Sequence, residues 1–189
     1  MHTRSPAPAR RPEPQLPSIL FVCTGNVCRS PFAEHLLRDR LPDIHALSRG
    51  IFALEGSAME SQMAGELSAR GVDPQGFRAR QVSAADLGAD LILTMSRRQR
   101  AYLLDEFPAA ARRIGHMGHI PELARMASEN PDSSLKEIIS AWTRRAIPSG
   151  LDVPDPYGKD AAQAARTAAL LTERVEQLVP VLRRGILAP

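Results

Sequence analysis

Near the start of the chain, two cysteines, an arginine and a serine lie close together in the stretch ILFVCTGNVCRSPFAE, residues 19–34. Cys23 comes after an apolar run, and Arg29 follows six residues later with Gly25 and Asn26 between them. A zinc site, a structural disulfide and a catalytic thiolate are the three kinds of chemistry that such a cluster suggests. The rest of the sequence discriminates among them.

The segment between Cys23 and Arg29 is suited to bind an anion. Glycine and asparagine tolerate positive φ, so this loop can curl until several backbone N–H groups point to its centre. Ser30-Pro31 is a typical helix start, with serine as the cap and proline in the first turn. A curled loop at a helix N-terminus binds phosphate, and a guanidinium matches two phosphate oxygens. A cysteine in that field is expected to be a thiolate, which attacks the phosphorus of a bound ester.

The other two kinds of site fit the sequence less well. Zinc needs four ligands, and His116 and His119 lie far along the chain without a further cluster. These histidines are expected to be a surface residue and a loop hydrogen-bonding residue. A permanent disulfide does not suit a chain of this size in a reducing compartment. A buried turn with two inert cysteines, Cys23 and Cys28, remains the non-functional alternative.

Alternating strand and helix patterns surround this loop. Four apolar runs predict strands, at residues 18–22, 44–48, 90–94 and 113–117. Helical patterns occur at residues 31–40, 60–70, 97–106 and about 160–182. Residues 127–154 are predicted to form a longer connection with one helix at 134–145. The alternation predicts an α/β fold: a single-domain, three-layer structure with a four-stranded parallel sheet flanked by helices on both faces. Ligands bind at the carboxyl ends of such strands, where the cysteine loop begins.

The composition narrows the possible partners. Residues 1–17, MHTRSPAPARRPEPQLP, are predicted to be a disordered Pro/Arg-rich tail that precedes a folded domain over 18–189. We expect no membrane partner and a cytoplasmic location, because no apolar run has the length of a membrane span or signal peptide. Of the 24 basic residues, 22 are arginines. They are scattered among acids and aromatic residues are only 4% of the chain, which argues against nucleic-acid binding.

Two segments carry a resemblance to a known family. VCTGNVCRSP resembles the signature loop of the low-molecular-weight protein tyrosine phosphatases, a cysteine and five residues followed by Arg-Ser-Pro. DVPDPYG, residues 152–158, resembles the general-acid loop that precedes the final helix of that family. The resemblance covers residues 18 to about 182, and it implies that 18–189 is a low-molecular-weight phosphatase-like catalytic domain.

By this resemblance, the protein hydrolyses phosphotyrosine in protein substrates. Cys23 attacks phosphorus and forms a phosphocysteine, and Asp155 protonates the leaving phenolate and then activates water. Tyr157 forms an aromatic wall beside a flat substrate, and no metal or other cofactor is required. The implied phosphate-binding residues are Thr24, Gly25, Asn26, Val27, Cys28, Arg29 and Ser30. Ser30 donates to the Cys23 sulfur, and Asn26 fixes the loop.

Some positions depart from the family pattern, and other functions on the same fold stay open. Relatives often carry an acid at Ser96, and Ser-Ala-Gly at the position of Ser48-Arg49-Gly50. We expect Ser48 to support Asn26 and Arg49 to face solvent, with the pocket rim as the alternative. The other functions are a thiol-cofactor-dependent arsenate reductase, a phosphoarginine phosphatase, for which threonine is typical at Val27, and a non-catalytic phosphotyrosine-binding or redox-sensing protein.

Cys28 is interpreted as a redox partner of Cys23. A loop curled around a phosphate brings its two ends together, within the roughly 5–6 Å Cα separation of a disulfide. A neighbouring thiol captures a sulfenic acid as a disulfide, which a cellular dithiol reductant reverses. The alternative is that Cys28 is a small residue that packs the loop.

Overall fold

The structure of the protein is a computed structural model that describes residues 17–187. A four-stranded parallel sheet has the strand order β2-β1-β3-β4. Its strands are β1 (Ile19–Cys23), β2 (Ala46–Gly50), β3 (Leu91–Thr94) and β4 (Ile114–His116). The parallel sheet is therefore confirmed, with strand bounds shifted by at most two residues. Apart from Pro17, the predicted disordered tail lies outside the described residues.

Helices cover both faces of this sheet. They are α1 (Arg29–Arg40), α2 (Ser61–Ser68), α3 (Arg97–Glu106), α4 (Ile120–Glu129), α5 (Leu135–Trp142) and α6 (Ala161–Leu187). Alternate residues of β1 point to opposite faces, so Phe21 joins the larger core with α1, α2, α4, α5 and α6. Val22 joins the smaller core, where Leu103 of α3 packs. Burial on both faces explains why β1 and β3 are uninterrupted apolar runs.

Residues 117–142, which include part of the predicted long connection, contain more helix than the sequence pattern predicts. Helix α4 was not predicted, although Ile120, Leu123 and Ala127 recur at helical spacing and are all buried. The adjacent Met-Gly-His, residues 117–119, forms a 3₁₀ turn that leads directly into α4. The predicted helix at 134–145 is present as the shorter α5. Among the residues that the structure describes, no helix has the length and apolar character to cross a membrane.

The histidine prediction is also wrong in part. His116 and His119 are both buried, with 0% and 8% exposure, so neither is a surface residue. The His119 ring stacks on the Trp142 ring with centroids 5.7 Å apart. Trp142 is 1% exposed and its indole Nε1 donates to the His119 carbonyl at 3.1 Å. This aromatic pair joins α5 to the turn that follows β4.

We expect Gly115→Ala to lower the free energy of unfolding by about 1–3 kcal/mol, the usual cost of an overpacked core. A methyl group at Gly115 would overlap the Trp142 indole ring. Gly65→Ala is the matched control, because Gly65 is exposed on α2 with no atom within 4 Å of an added Cβ. In a helix that control should gain about 0.5–1 kcal/mol. Urea denaturation of both variants measures the difference, and equal stabilities would contradict the packing described here.

Candidate active site

The loop between β1 and α1 curls because one residue adopts a left-handed conformation. Asn26 has φ 55°, and it is the one non-glycine residue of the described chain with positive φ. Gly25, expected to share this role, does not have positive φ. Cys23 is the last residue of β1 rather than the residue after it, so the strand itself fixes the thiol at the carboxyl edge of the sheet.

The peptide groups of this loop are oriented by the segments that follow β2. Backbone N–H groups of these segments donate to loop carbonyls, which turns the carbonyls outward. The pairs are Ile51 N to Cys23 O at 3.0 Å, Phe52 N to Thr24 O at 3.0 Å, Leu54 N to Gly25 O at 2.9 Å and Glu60 N to Val27 O at 2.8 Å. Within residues 17–187, no acceptor takes the N–H groups of residues 25–28. Unpaired N–H groups on the inner side of a loop form an anion-binding nest.

Side-chain hydrogen bonds hold the nest from behind. Asn26 Nδ2 donates to Ser30 Oγ and to Ser48 Oγ, both at 2.9 Å, and its Oδ1 accepts from Arg80 N at 2.8 Å. The contact expected between Ser48 and Asn26 is thus present. Ser30 Oγ lies 3.0 Å from Cys23 Sγ. Because Ser30 Oγ accepts a hydrogen bond from Asn26 Nδ2, its own hydroxyl hydrogen can be donated to the sulfur, with Arg49 O at 3.4 Å as the alternative acceptor.

Ser30 does not cap α1, contrary to the sequence prediction. Helix α1 begins at Arg29, the residue at the cap position is Cys28, and Cys28 makes no side-chain cap hydrogen bond. Ser30 therefore lies inside the first turn, fully buried, with its hydroxyl directed to Cys23. The helix N-terminus adds its partial positive charge to the nest, and an anion bound there satisfies donors that a cap would otherwise take.

Arg29 joins the loop to the distant segment 152–158. Its side chain is 6% exposed, Nη1 donates to Val153 O at 3.1 Å, and Nη2 lies 2.5 Å from Asp155 Oδ2. Its Nε is buried and has no hydrogen-bond partner among the described residues. Buried donors are nearly always paired, so an unpaired one beside a nest of N–H groups indicates an anion site.

Asp155 lies at the mouth of the site on a tightly held loop. Half of its side chain is exposed, and Oδ1 accepts from Tyr157 N at 3.2 Å. The preceding residues are fixed by Val153 N, which donates to Met95 O at 2.8 Å, and by Pro154 O, which accepts from Thr167 Oγ1 at 3.2 Å. The carboxyl group is therefore positioned beside the guanidinium while it stays accessible to solvent and to the cavity that it lines.

A cavity of about 180 Å³ opens at this edge of the sheet. It is lined by Cys23, Thr24, Gly25, Val27, Cys28, Arg29, Phe52, Leu54, Asp155 and Tyr157. Two predicted phosphate-binding residues, Asn26 and Ser30, are absent from this lining because they are fully buried behind the loop.

Phe52 and Leu54 are cavity residues that the sequence patterns did not predict. They are 61% and 43% exposed, and with Tyr157, 56% exposed, they give the cavity an apolar rim. Both residues follow β2, which neighbours β1 in the sheet. The signal in the sequence was an aromatic residue, Phe52, two positions after β2. Because β2 neighbours β1 and the carboxyl ends of parallel strands meet at one edge of the sheet, such a residue lies near the cysteine loop.

Cys28 differs chemically from an active nucleophile. Burial and, second, the negative charge of Cys23 raise the pKa of the Cys28 thiol to about 12. Cys28 is therefore a neutral thiol at physiological pH, and both cysteines are free and buried. Among the described residues, no group of three or more His, Cys, Asp or Glu side chains is arranged to hold a metal ion.

The two departures from the family pattern have structural explanations. Arg49 faces neither solvent nor the rim, so that prediction is wrong: its Nε lies 2.8 Å from Asp86 Oδ1, with both side chains largely buried. The partner in a 3₁₀ turn after residue 83 could not be foreseen from Arg49 alone. Ser96 caps α3, where its Oγ accepts from Gln99 N at 3.2 Å. Gln99 Nε2 in turn donates to Thr24 Oγ1 at 3.1 Å, which ties α3 to the loop.

Comparison with known proteins gives consistent matches. Residues 18–133 match the model of the family described as low molecular weight phosphotyrosine protein phosphatase. The low molecular weight protein-tyrosine-phosphatase Wzb of Salmonella typhi is 41% identical over 152 residues, covering 79% of this chain and 84% of that protein.

Two solved structures share the fold over nearly their full length. The low molecular weight protein tyrosine phosphatase from T. tengcongensis has a TM-score of 0.68 at 30% identity, covering 86% of this chain and 97% of that chain. The YwlE arginine phosphatase from Geobacillus stearothermophilus has a TM-score of 0.70 at 25% identity, covering 88% of this chain and 93% of that chain.

Proposed function

Because the chain belongs to the low molecular weight phosphotyrosine protein phosphatase family, and is thus a hydrolase, we propose that it cleaves phosphotyrosine in protein substrates through a phosphocysteine at Cys23. The observation that carries the proposal is the 2.5 Å contact between Arg29 and Asp155, which are 126 positions apart. This contact places the Asp155 carboxyl group, which would transfer the proton, beside the Arg29 guanidinium. Arg29 in turn follows the loop that begins at Cys23.

In the first step, the phosphate of the substrate binds in the nest, and Arg29 Nε with the loop N–H groups donates to its oxygens. Cys23 sulfur attacks phosphorus, so an S–P bond forms while the P–O bond to the phenol breaks. Asp155, in its protonated form, gives its proton to the departing oxygen. The fixed donors stabilise the charge that builds on the phosphoryl oxygens without having to reorganise.

In the second step, water attacks the phosphocysteine. Asp155, now a carboxylate, takes a proton from that water, and the S–P bond breaks to release inorganic phosphate. The departing sulfur carries negative charge, and the Ser30 hydroxyl 3.0 Å away donates to it. Cys28 stays protonated throughout, because the pKa of its thiol, about 12, lies far above neutrality.

Asp155→Ala should slow turnover by about 10²–10⁴-fold, the usual contribution of a positioned general acid. The deficit should be larger for phenyl phosphate than for p-nitrophenyl phosphate, because a more acidic leaving group needs less protonation. Because hydrolysis of the phosphocysteine is common to both substrates, kcat/KM rather than kcat on the two substrates measures this difference. Asp105→Ala is a control, since Asp105 is an exposed carboxylate on α3, away from the acid loop. An equal loss on both substrates would mean that Asp155 has a different role.

A second candidate is phosphoarginine hydrolysis, because the YwlE arginine phosphatase is a structural neighbour at 25% identity. Two features favour the aryl substrate. Val27 is apolar and lines the cavity, and Phe52, Leu54 and Tyr157 form an apolar rim suited to a phenyl ring. Phosphotyrosine binding without turnover ranks lower, because Cys23, Arg29 and Asp155 all line one cavity. Arsenate reduction ranks lower because relatives of that kind usually have glutamine at the position of Pro31.

We expect kcat/KM for a phosphotyrosine peptide to exceed that for phosphoserine and phosphoarginine. Val27→Thr should shift the preference toward phosphoarginine, because a hydroxyl replaces an apolar contact and can hydrogen-bond a guanidinium. Val27→Ala is the matched control that removes the apolar contact without adding a hydroxyl. Parallel assays of the three phosphorylated substrates and arsenate measure these preferences. Faster hydrolysis of phosphoarginine than of phosphotyrosine by the wild-type protein would contradict the predicted preference.

We also propose that Cys28 protects Cys23 from irreversible oxidation, in a cytoplasmic setting that the composition predicts. Peroxide converts the Cys23 thiolate to a sulfenic acid, and Cys28 sulfur attacks it to form a disulfide with loss of water. One cause of the raised Cys28 pKa is the negative charge of Cys23, and the neutral sulfenic acid no longer carries it. A cellular dithiol then reduces the disulfide.

Peroxide followed by dithiothreitol tests this role. Wild type should regain most of its initial rate, whereas Cys28→Ser should regain much less, each relative to its own untreated rate. Cys28→Ala, which removes the thiol without adding a hydroxyl, should behave like the serine variant. If the variants recover as fully as wild type, Cys28 only packs the loop.

A further inference from the structure

A buried histidine contacts the loop that carries Asp155. His116 ends β4 and is fully buried, yet its imidazole Nε2 lies 3.0 Å from Asp152 Oδ1. Asp152 is three residues before Asp155 on the same loop. His116 neither lines the cavity nor contacts Cys23, Arg29 or Asp155, so the mechanism above assigns it no role.

The hydrogen bonds of His116 define its tautomer. The Gly118 backbone N–H donates to Nδ1 at 3.1 Å, so Nδ1 carries no proton in this arrangement. The proton is then on Nε2, which donates to the Asp152 carboxylate. Burial lowers the pKa of His116, and His119 and Arg100 act in the same direction, while Asp152 opposes them. The neutral form that the geometry requires is thus the favoured one.

Asp152 and Val153 attach the base of the acid loop to β4, to α3 and to the residue after β3. Asp152 Oδ1 accepts from His116 at the end of β4 and from the backbone N–H of Arg97, the first residue of α3, at 2.9 Å. The next residue, Val153, donates its N–H to Met95 O at the end of β3. The loop is thereby attached to the sheet edge immediately before Asp155.

The contacts of Asp152 and of the Val153 N–H matter most when substrate binds. In the structure, Asp155 is held by Arg29, and Arg29 also donates to Val153 O. A bound phosphate competes for the donors of Arg29, and this competition weakens the contact that holds Asp155. The contacts of the Asp152 carboxylate and of the Val153 N–H use no donor of Arg29, so we expect them to determine where Asp155 sits relative to the leaving oxygen.

We propose that His116 is a positioning residue for the general acid, acting through Asp152 to hold the loop that places Asp155 at the leaving group. This inference rests on the proposed function, since it requires Asp155 to be the acid. The dependence of the rate loss on the leaving group distinguishes this positioning role from a purely structural one. A displaced acid slows cleavage of poor leaving groups most, whereas general destabilisation of the fold slows all substrates alike.

The test compares turnover of phenyl phosphate and p-nitrophenyl phosphate. His116→Ala should lower kcat/KM on phenyl phosphate about 10-fold more than on p-nitrophenyl phosphate, a fraction of the full contribution of a general acid. The inhibition constant of inorganic phosphate should change little, because the nest is untouched. His116→Gln, whose amide can still donate to Asp152, should recover part of the loss. Asp152→Ala removes the acceptor of both His116 and the Arg97 N–H from a half-exposed position, and it should show the same selectivity.

Two controls separate this inference from its premise. His119→Ala removes the other buried histidine, which stacks on Trp142, and should show no leaving-group selectivity. In an Asp155→Ala background, His116→Ala should add no further selectivity. A parallel loss on both substrates, or selectivity that persists without Asp155, would overturn the role of His116. If Asp155→Ala alone shows no selectivity, the acid assignment fails, and the inference is overturned with it.

Discussion

The site depends on the orientation of a few peptide groups between β1 and α1. Asn26 turns the chain into the left-handed region, and the segment after β2 takes the loop carbonyls, which leaves the N–H groups facing inward. Close packing enforces this arrangement: a Cβ at Gly50 would lie 2.5 Å from Thr24 O, so only glycine lets β2 approach the loop. The nest is therefore formed before any anion binds, and the fold rather than the substrate provides its organisation.

The ion pair between Arg29 and Asp155 connects that nest to the far end of the chain. Arg29 is buried and Asp155 is half exposed, so separating the pair costs less than separating two buried charges. In the mechanism that we propose, an incoming phosphate competes for the donors of Arg29 and frees the Asp155 carboxyl group for proton transfer. Substrate binding and release of the acid are then one event, and the contacts of Asp152 keep the freed group in place.

Local patterns made the family and the sheet predictable from the sequence. The cysteine loop lies within a few consecutive residues, and buried parallel strands are continuous apolar runs, so both are visible without tertiary information. What the sequence could not supply are contacts between distant segments. Arg49 is largely buried and paired with Asp86, and the buried His116 donates a hydrogen bond to Asp152. The apolar rim formed by Phe52 and Leu54 depends on the neighbouring strand order, and α4 was overlooked despite a readable helical pattern.

The central claim is that Cys23 becomes phosphorylated during turnover, and trapping the phosphocysteine tests that claim most directly. Asp155→Ala, mixed with p-nitrophenyl phosphate and quenched during turnover, should accumulate the phosphoenzyme, because the leaving group departs unaided while hydrolysis lacks its base. Peptide mass spectrometry should then find one added phosphoryl group on Cys23, none on Cys28, and none in the protein that also carries Cys23→Ala. Release of nitrophenol by the Asp155 variant without any phosphorylated Cys23, or with the phosphoryl group on Cys28, would contradict the mechanism.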